Sequence, residues 1–146
     1  MEIAMDKNLL KARDLLLAGN YTCVVCREDT LYTTTHRGVA PLLNWLDDGT
    51  DLEGFSAADR VVGRGAAFLY CLLKVKAVHA LVMSYPAAEV LKAYNIEAYA
   101  DTFVEGIINR AGTGPCPFEA AVMDIHNAPE ALEAIRCTRR QLQKGN

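Results

Sequence analysis

The sequence has no surplus of positive charge. Its 15 lysines and arginines are outnumbered by 18 acidic residues, leaving a net charge of −3. A dedicated nucleic-acid binder ordinarily shows its basic footprint in these totals, so no nucleic-acid partner is expected. No apolar run reaches the length that spans a bilayer, so no membrane partner is expected either. The opening stretch, Met1 to Asp14, is charged and reads as helix rather than as a secretory signal. Five cysteines are too odd a count for a closed disulfide framework; reduced thiols and a cytoplasmic location are expected. Internal repeats, low-complexity stretches and linkers are missing too. What remains is 146 residues, 51% hydrophobic and 23% charged, the composition of one globular domain spanning 1–146. A chain of this length buries a core without metal or disulfide staples.

Hydropathy patterning divides the chain into short elements. Asp6–Ala18 is a helix by the spacing of Leu9, Ala12 and Leu16, with Asp6 as cap and Gly19 as a left-handed stop. Tyr21–Arg27 and Leu31–Thr35 form a hairpin about Glu28-Asp29, and Val39–Leu46 is a short helix opened by Pro41. An acidic loop runs from Asp47 to Ser56. Gly63-Arg64-Gly65 opens a helix to about Val75 that is apolar on nearly every side, hence buried. Ala77–Met83 is a strand covered on both faces, and Pro86–Tyr94 a helix capped near Ser84. Ile96–Tyr99 and Val104–Ile108 read as two short strands; helices follow from Cys116 and from Pro129 to about Gln143. Strands alternating with helices after a hairpin predict an α/β fold, a three-layer α/β/α sandwich with a mixed sheet.

Several clusters have the residue types of chemistry. Cys23 and Cys26 form a C-x-x-C, but residues three apart in a strand face opposite ways and no second pair completes a zinc set. Packing thiols are expected there, and His79, inside an apolar strand, is expected to be a core histidine with its hydrogen bonds satisfied. The acidic loop misses the calcium-loop spacing and reads as solvated. Arg136, Arg139, Arg140 and Lys144 favour the negative end of the last helix dipole.

Two segments stand out. Glycines flanking Arg64 let backbone approach closely, free amides at a helix start favour an anion, and the Arg64 guanidinium is expected to add a fork suited to phosphate. A close-packed helix start and an anion site fit Gly63-Arg64-Gly65 equally, while no third glycine completes a dinucleotide fingerprint. The segment Asn109 to Glu119 is the densest. Cys116 is placed as N-cap, Pro117 as first helical residue, and Glu119 where it reaches back as in a capping box. A thiol at a helix start, near Arg110, is a candidate nucleophile; a well-capped helix after a glycine turn is the other reading.

The run Asp59 to Glu119, with Asn109-Arg110 and Cys116-Pro117-x-Glu119, resembles a bacterial family of domains of unknown function that carries the cytidine deaminase-like fold without its zinc site. In deaminases one helix opens with His/Cys-Ala-Glu and the next with Pro-Cys-x-x-Cys, which supply zinc and its proton-shuttling glutamate. By this resemblance the two sites fall at Gly63-Arg64-Gly65-Ala66-Ala67 and Ser84-Tyr85-Pro86-Ala87-Ala88-Glu89, where no thiol or imidazole stands. No metal, no other cofactor and no hydrolytic deamination are therefore expected. The resemblance implies two helix starts converging where open α/β sheets bind ligands. A nucleotide or another phosphorylated small molecule is the expected ligand, held by Asp59, Gly63, Arg64, Gly65, Ser84, Asn109, Arg110, Thr113, Cys116 and Glu119. The alternatives are an enzyme acting through Cys116 and an interaction module, in which the Gly65–Val75 helix and Trp45 make a homo-oligomer interface.

Overall fold

A computed structural model describes residues 6–109 and 111–144. The helix α1 (Lys7–Ala18) starts where Asp6 accepts the Leu9 amide at 2.8 Å and buries Leu9, Ala12 and Leu16. Gly19 is not a left-handed stop. Its backbone is extended, and a side chain there would meet the Tyr21 ring at 2.7 Å; glycine serves close approach here. Next comes the hairpin β1 (Cys23–Arg27) and β2 (Thr30–Thr34), closed by Glu28 with φ of 52°, then the helix α2 (Ala40–Asp47).

The strand β3 (Ser56–Val62) lies where the sequence reading placed only the end of a loop and a change of pattern. Its first five residues are small or polar, which hides it from a hydropathy reading. Ala57 and Ala58 are nonetheless wholly buried, one on each face, and the strand sits in the middle of the sheet. The helix α3 (Arg64–Leu73) returns over it, followed by β4 (Ala77–Ser84) and α4 (Tyr85–Ala93), which is capped by the Ser84 side chain on the Ala87 amide. The two short strands expected at 96–99 and 104–108 are instead one, β5 (Glu97–Val104). As an edge strand it tolerates the polar Asp101 and Thr102 that broke the apolar pattern. A five-residue helix, α5 (Pro117–Ala121), and a long amphipathic one, α6 (Ala128–Lys144), complete the chain.

The five strands form one mixed sheet in the order β2-β1-β3-β4-β5. The hairpin side is antiparallel, and β3, β4 and β5 are parallel. Helices cover both faces, as expected, but unequally. Among the described residues only α1 packs on one face, over Val24, Cys26 and Ala58. The opposite face carries the main core, with α3 at its centre, contacted by α2, α4, α5 and α6. The second apolar side of α3 is thus covered within the chain, and Trp45 is half-buried against the same core rather than exposed. The two cysteines of the C-x-x-C part company as strand geometry demands, Cys23 into the main core and Cys26 under α1.

Candidate functional site

The carboxyl ends of β3 and β4 lead directly into α3 and α4, so two helix starts stand side by side at one edge of the sheet. Amides at such starts have no partner within their own helix. Here a single carboxylate meets the first amide of α3 and the hydroxyl of Ser84, which itself caps α4. Glu119, 4% exposed, accepts the Arg64 amide at 2.8 Å and the Ile107 amide at 2.6 Å, and takes a very short hydrogen bond from the Ser84 hydroxyl. It does not reach back to Cys116, so there is no capping box; the Cys116 amide donates to the Ile107 carbonyl instead, at 2.8 Å. The stronger cradle lies across the fold, where two helix starts aim their positive ends at one point.

The glycines belong to this arrangement. A side chain at 63 would meet Glu119 Oε2 and Ile107 at 3.1 Å, and one at 65 would meet the Phe118 carbonyl at 3.0 Å. The close-packed helix start and the anion site are one feature: the backbone comes close, and the anion is the chain's own.

Arg64 does not extend its side chain toward that anion. It is 7% exposed, lies over the Phe68 ring with 5.2 Å to the centroid, and donates from Nε to the Val122 carbonyl at 3.0 Å and from Nη2 to the Ile125 carbonyl at 2.6 Å. Glu119 and Arg64 so tie α3 to the α5 segment twice, once through a backbone amide and once through a guanidinium.

The other expected site residues are spread out. Asp59 faces the main core, where the Tyr70 hydroxyl donates to it at 2.6 Å and the Cys23 sulfur lies 3.2 Å from the same hydroxyl. Burial of the carboxyl group pushes its pKa up to about 6, against the pull of Tyr70 and two backbone amides. Burial likewise pushes the Cys23 thiol up. Asn109 and Thr113 close the glycine loop on itself: the Asn109 carbonyl oxygen accepts the Thr113 amide at 3.0 Å, and the Asn109 amide group donates to the Thr113 hydroxyl. Cys116 is partly exposed, and its sulfur makes no hydrogen bond among the described residues. Arg110 lies outside the described residues.

Two features beside the cradle were not anticipated. Tyr85 and Phe103 are 50% and 38% exposed and stack at 5.7 Å between centroids, with Tyr85 next to the Ser84 that holds Glu119. An exposed aromatic separated by 18 positions from its partner has no sequence signature. On the far face, His79 is buried in the core as expected, with Nε2 3.0 Å from Asp101, but it is not satisfied: among the described residues its Nδ1, like the Nε of Arg13, is buried without a partner. Among the described residues no three His, Cys, Asp or Glu side chains are grouped to hold a metal ion, and no helix is long and apolar enough to cross a membrane.

Comparison with known proteins returns the same architecture. Residues 11–138 match the family described as TM1506, domain of unknown function DUF1893. A crystal structure of a DUF1893 family protein (TM1506) from Thermotoga maritima superposes with a TM-score of 0.81 over 94% of this chain and 92% of the other, at 24% identity. That likeness speaks for the fold. No curated protein matches the chain.

Proposed function

Given that the chain belongs to the DUF1893 family of domains of unknown function, we propose that it binds a small anionic molecule, a nucleotide or another phosphorylated compound, without zinc chemistry. In this reading Glu119 holds the ligand's seat in the free protein. One observation carries it: a carboxylate from a separate segment sits on donors from two helix starts, Arg64 N–H and Ser84 O–H, together with Ile107 N–H. Such donors serve a phosphate equally well. The place agrees with the cytidine deaminase-like geometry that the sequence resembles, where two helix starts flank the ligand. The Tyr85–Phe103 stack beside the seat suits a planar base, since aromatic faces hold bases without regard to their sequence. Asn109, Thr113 and Cys116 then belong to the segment that moves when Glu119 is displaced.

An internal competitor lowers apparent affinity by the fraction of time it occupies the seat. Removing it therefore strengthens binding while weakening the free protein. The test is a panel of nucleoside mono-, di- and triphosphates, ADP-ribose and sugar phosphates, titrated calorimetrically into wild type, Glu119→Ala and Glu119→Gln. The expected result is one class of compound that binds wild type and binds Glu119→Ala about tenfold tighter or more. Equal affinity for the two proteins places the ligand elsewhere, and binding to neither the wild type nor the folded Glu119→Gln variant overturns the reading.

A further inference from the structure

A second site is carried by the side chain of Arg64 rather than its backbone. Buried charges in proteins are nearly always paired or coordinate an ion. Arg64 is more than nine-tenths buried, yet no carboxylate lies within salt-bridge distance of it among the described residues. Its hydrogen bonds run to two neutral carbonyls, and Nη1 has no partner among the described residues. The guanidinium lines a cleft of about 370 Å³ between α3, α4 and the segment after α5.

The other walls complete a recognisable chemistry. Ala93 and Met123, both exposed, give apolar surface, while Phe68 lies buried under the guanidinium. The Tyr94 oxygen accepts the Ala128 amide at 2.9 Å, which leaves its own hydrogen to donate. His126, exposed, adds a further ring nitrogen, and Glu89 is the acidic residue of the lining. We propose that this cleft binds a small monocarboxylate with an apolar body, its carboxylate on Arg64 Nη1 and the Tyr94 hydroxyl, its body between Ala93 and Met123. The two carbonyls and the Phe68 ring hold the guanidinium in place before any ligand arrives, so little ordering cost accompanies binding. A single negative charge suits the cleft, because Glu89 opposes a higher one.

This site shares no ligand contact with the seat of Glu119, and its test does not depend on that reading. The probes are benzoate, its neutral counterpart benzamide, and inorganic phosphate, titrated into isotopically labelled protein and followed by amide NMR. Benzoate is expected to shift the resonances of Phe68, Tyr94, Met123 and His126 in a saturable manner at millimolar concentration. Benzamide and phosphate are expected to bind at least about tenfold more weakly. Glu89→Gln, a surface change that leaves the fold intact, is expected to tighten benzoate binding about twofold to fivefold, the size of a partly screened charge. Met123→Ala is expected to weaken it. Absence of these shifts, equal response to benzoate and benzamide, or an unchanged affinity in Glu89→Gln each overturns the proposal.

Discussion

The two faces of the sheet solve the same problem differently. On the main-core face, five helices crowd over the strands, and the buried Glu119 carboxylate is met by donors drawn from three separate stretches of chain. On the other face one helix, α1, covers Val24, Cys26 and Ala58 alone, and Arg13 Nε and His79 Nδ1 are left without partners. The Arg60 guanidinium, donating to the Tyr21 and Leu16 carbonyls, ties the end of α1 down. The difference teaches where cooperative structure resides. Local opening follows apolar contact and hydrogen-bond satisfaction, so α1 is the layer expected to open first.

The titrating groups differ between the faces in the same way, and with opposite sign. Asp59, on the main-core side, ionises near pH 6 in the folded chain and near 3.8 when free. Between those values the folded state binds more protons, so stability falls as pH rises from about 4 to about 6. His79, under α1, has its pKa lowered by burial, which outweighs the opposing pull of Asp101 and is reinforced by Arg13. There the unfolded state binds more protons, so stability is full above the free histidine value of about 6.5 and declines as pH falls below it. Each face masks the slope of the other.

Four substitutions break or sharpen this contrast. Glu119→Ala strands the Arg64 and Ile107 amides and the Ser84 hydroxyl, and is expected to cost about 3–5 kcal/mol in denaturant unfolding. A loss under about 1 kcal/mol would show that the cradle contributes little to holding the main-core face. Leu16→Ala hollows the small core under α1 and is expected to cost about 2–4 kcal/mol. Hydrogen exchange should then quicken in α1 while the β4 and α3 amides keep their protection; uniform loss would mean that the two layers open as one. Asp59→Asn keeps an acceptor for Tyr70 and removes the buried charge, so it is expected to stabilise by about 1 kcal/mol at pH 7.5. The gain should vanish near pH 4, and a gain that persists there would sink the assignment. His79→Leu is expected to change stability by less than about 1 kcal/mol at pH 7.5, since Asp101 is largely solvated already. Its signature is a shallower loss of stability between pH 6.5 and 5 than the wild type shows.

Much of this was legible in the residues. The Asp6 cap, the hairpin, the apolar run of β4 and the Ser84 cap are local signals, and each forms where it was read. The chain lost its legibility where long-range packing decided the residue types. Ala57 and Ala58 are small because a helix lies close on either side, and Asp59 and Arg60 are tolerated because Tyr70 and the end of α1 answer them. Gly63 and Gly65 marked a close approach correctly, but nothing local says what approaches. Glu119 was visible as an acid at the start of a helix; its partners stand 12, 35 and 55 positions away. The same distance in sequence hid the solitary charge of Arg64, whose carbonyl partners are 58 and 61 residues downstream.

That separation has a consequence for biosynthesis. A ribosome making this protein releases β3, α3, β4 and α4 well before Glu119, and until then the amide of Arg64 and the hydroxyl hydrogen of Ser84, whose oxygen already caps α4, have only solvent to donate to. The nascent chain can assemble its parallel strands early, but the clasp waits for a segment that follows them. Premature termination upstream of Glu119 would therefore yield an open-edged intermediate, a substrate for quality-control proteases rather than a smaller working domain.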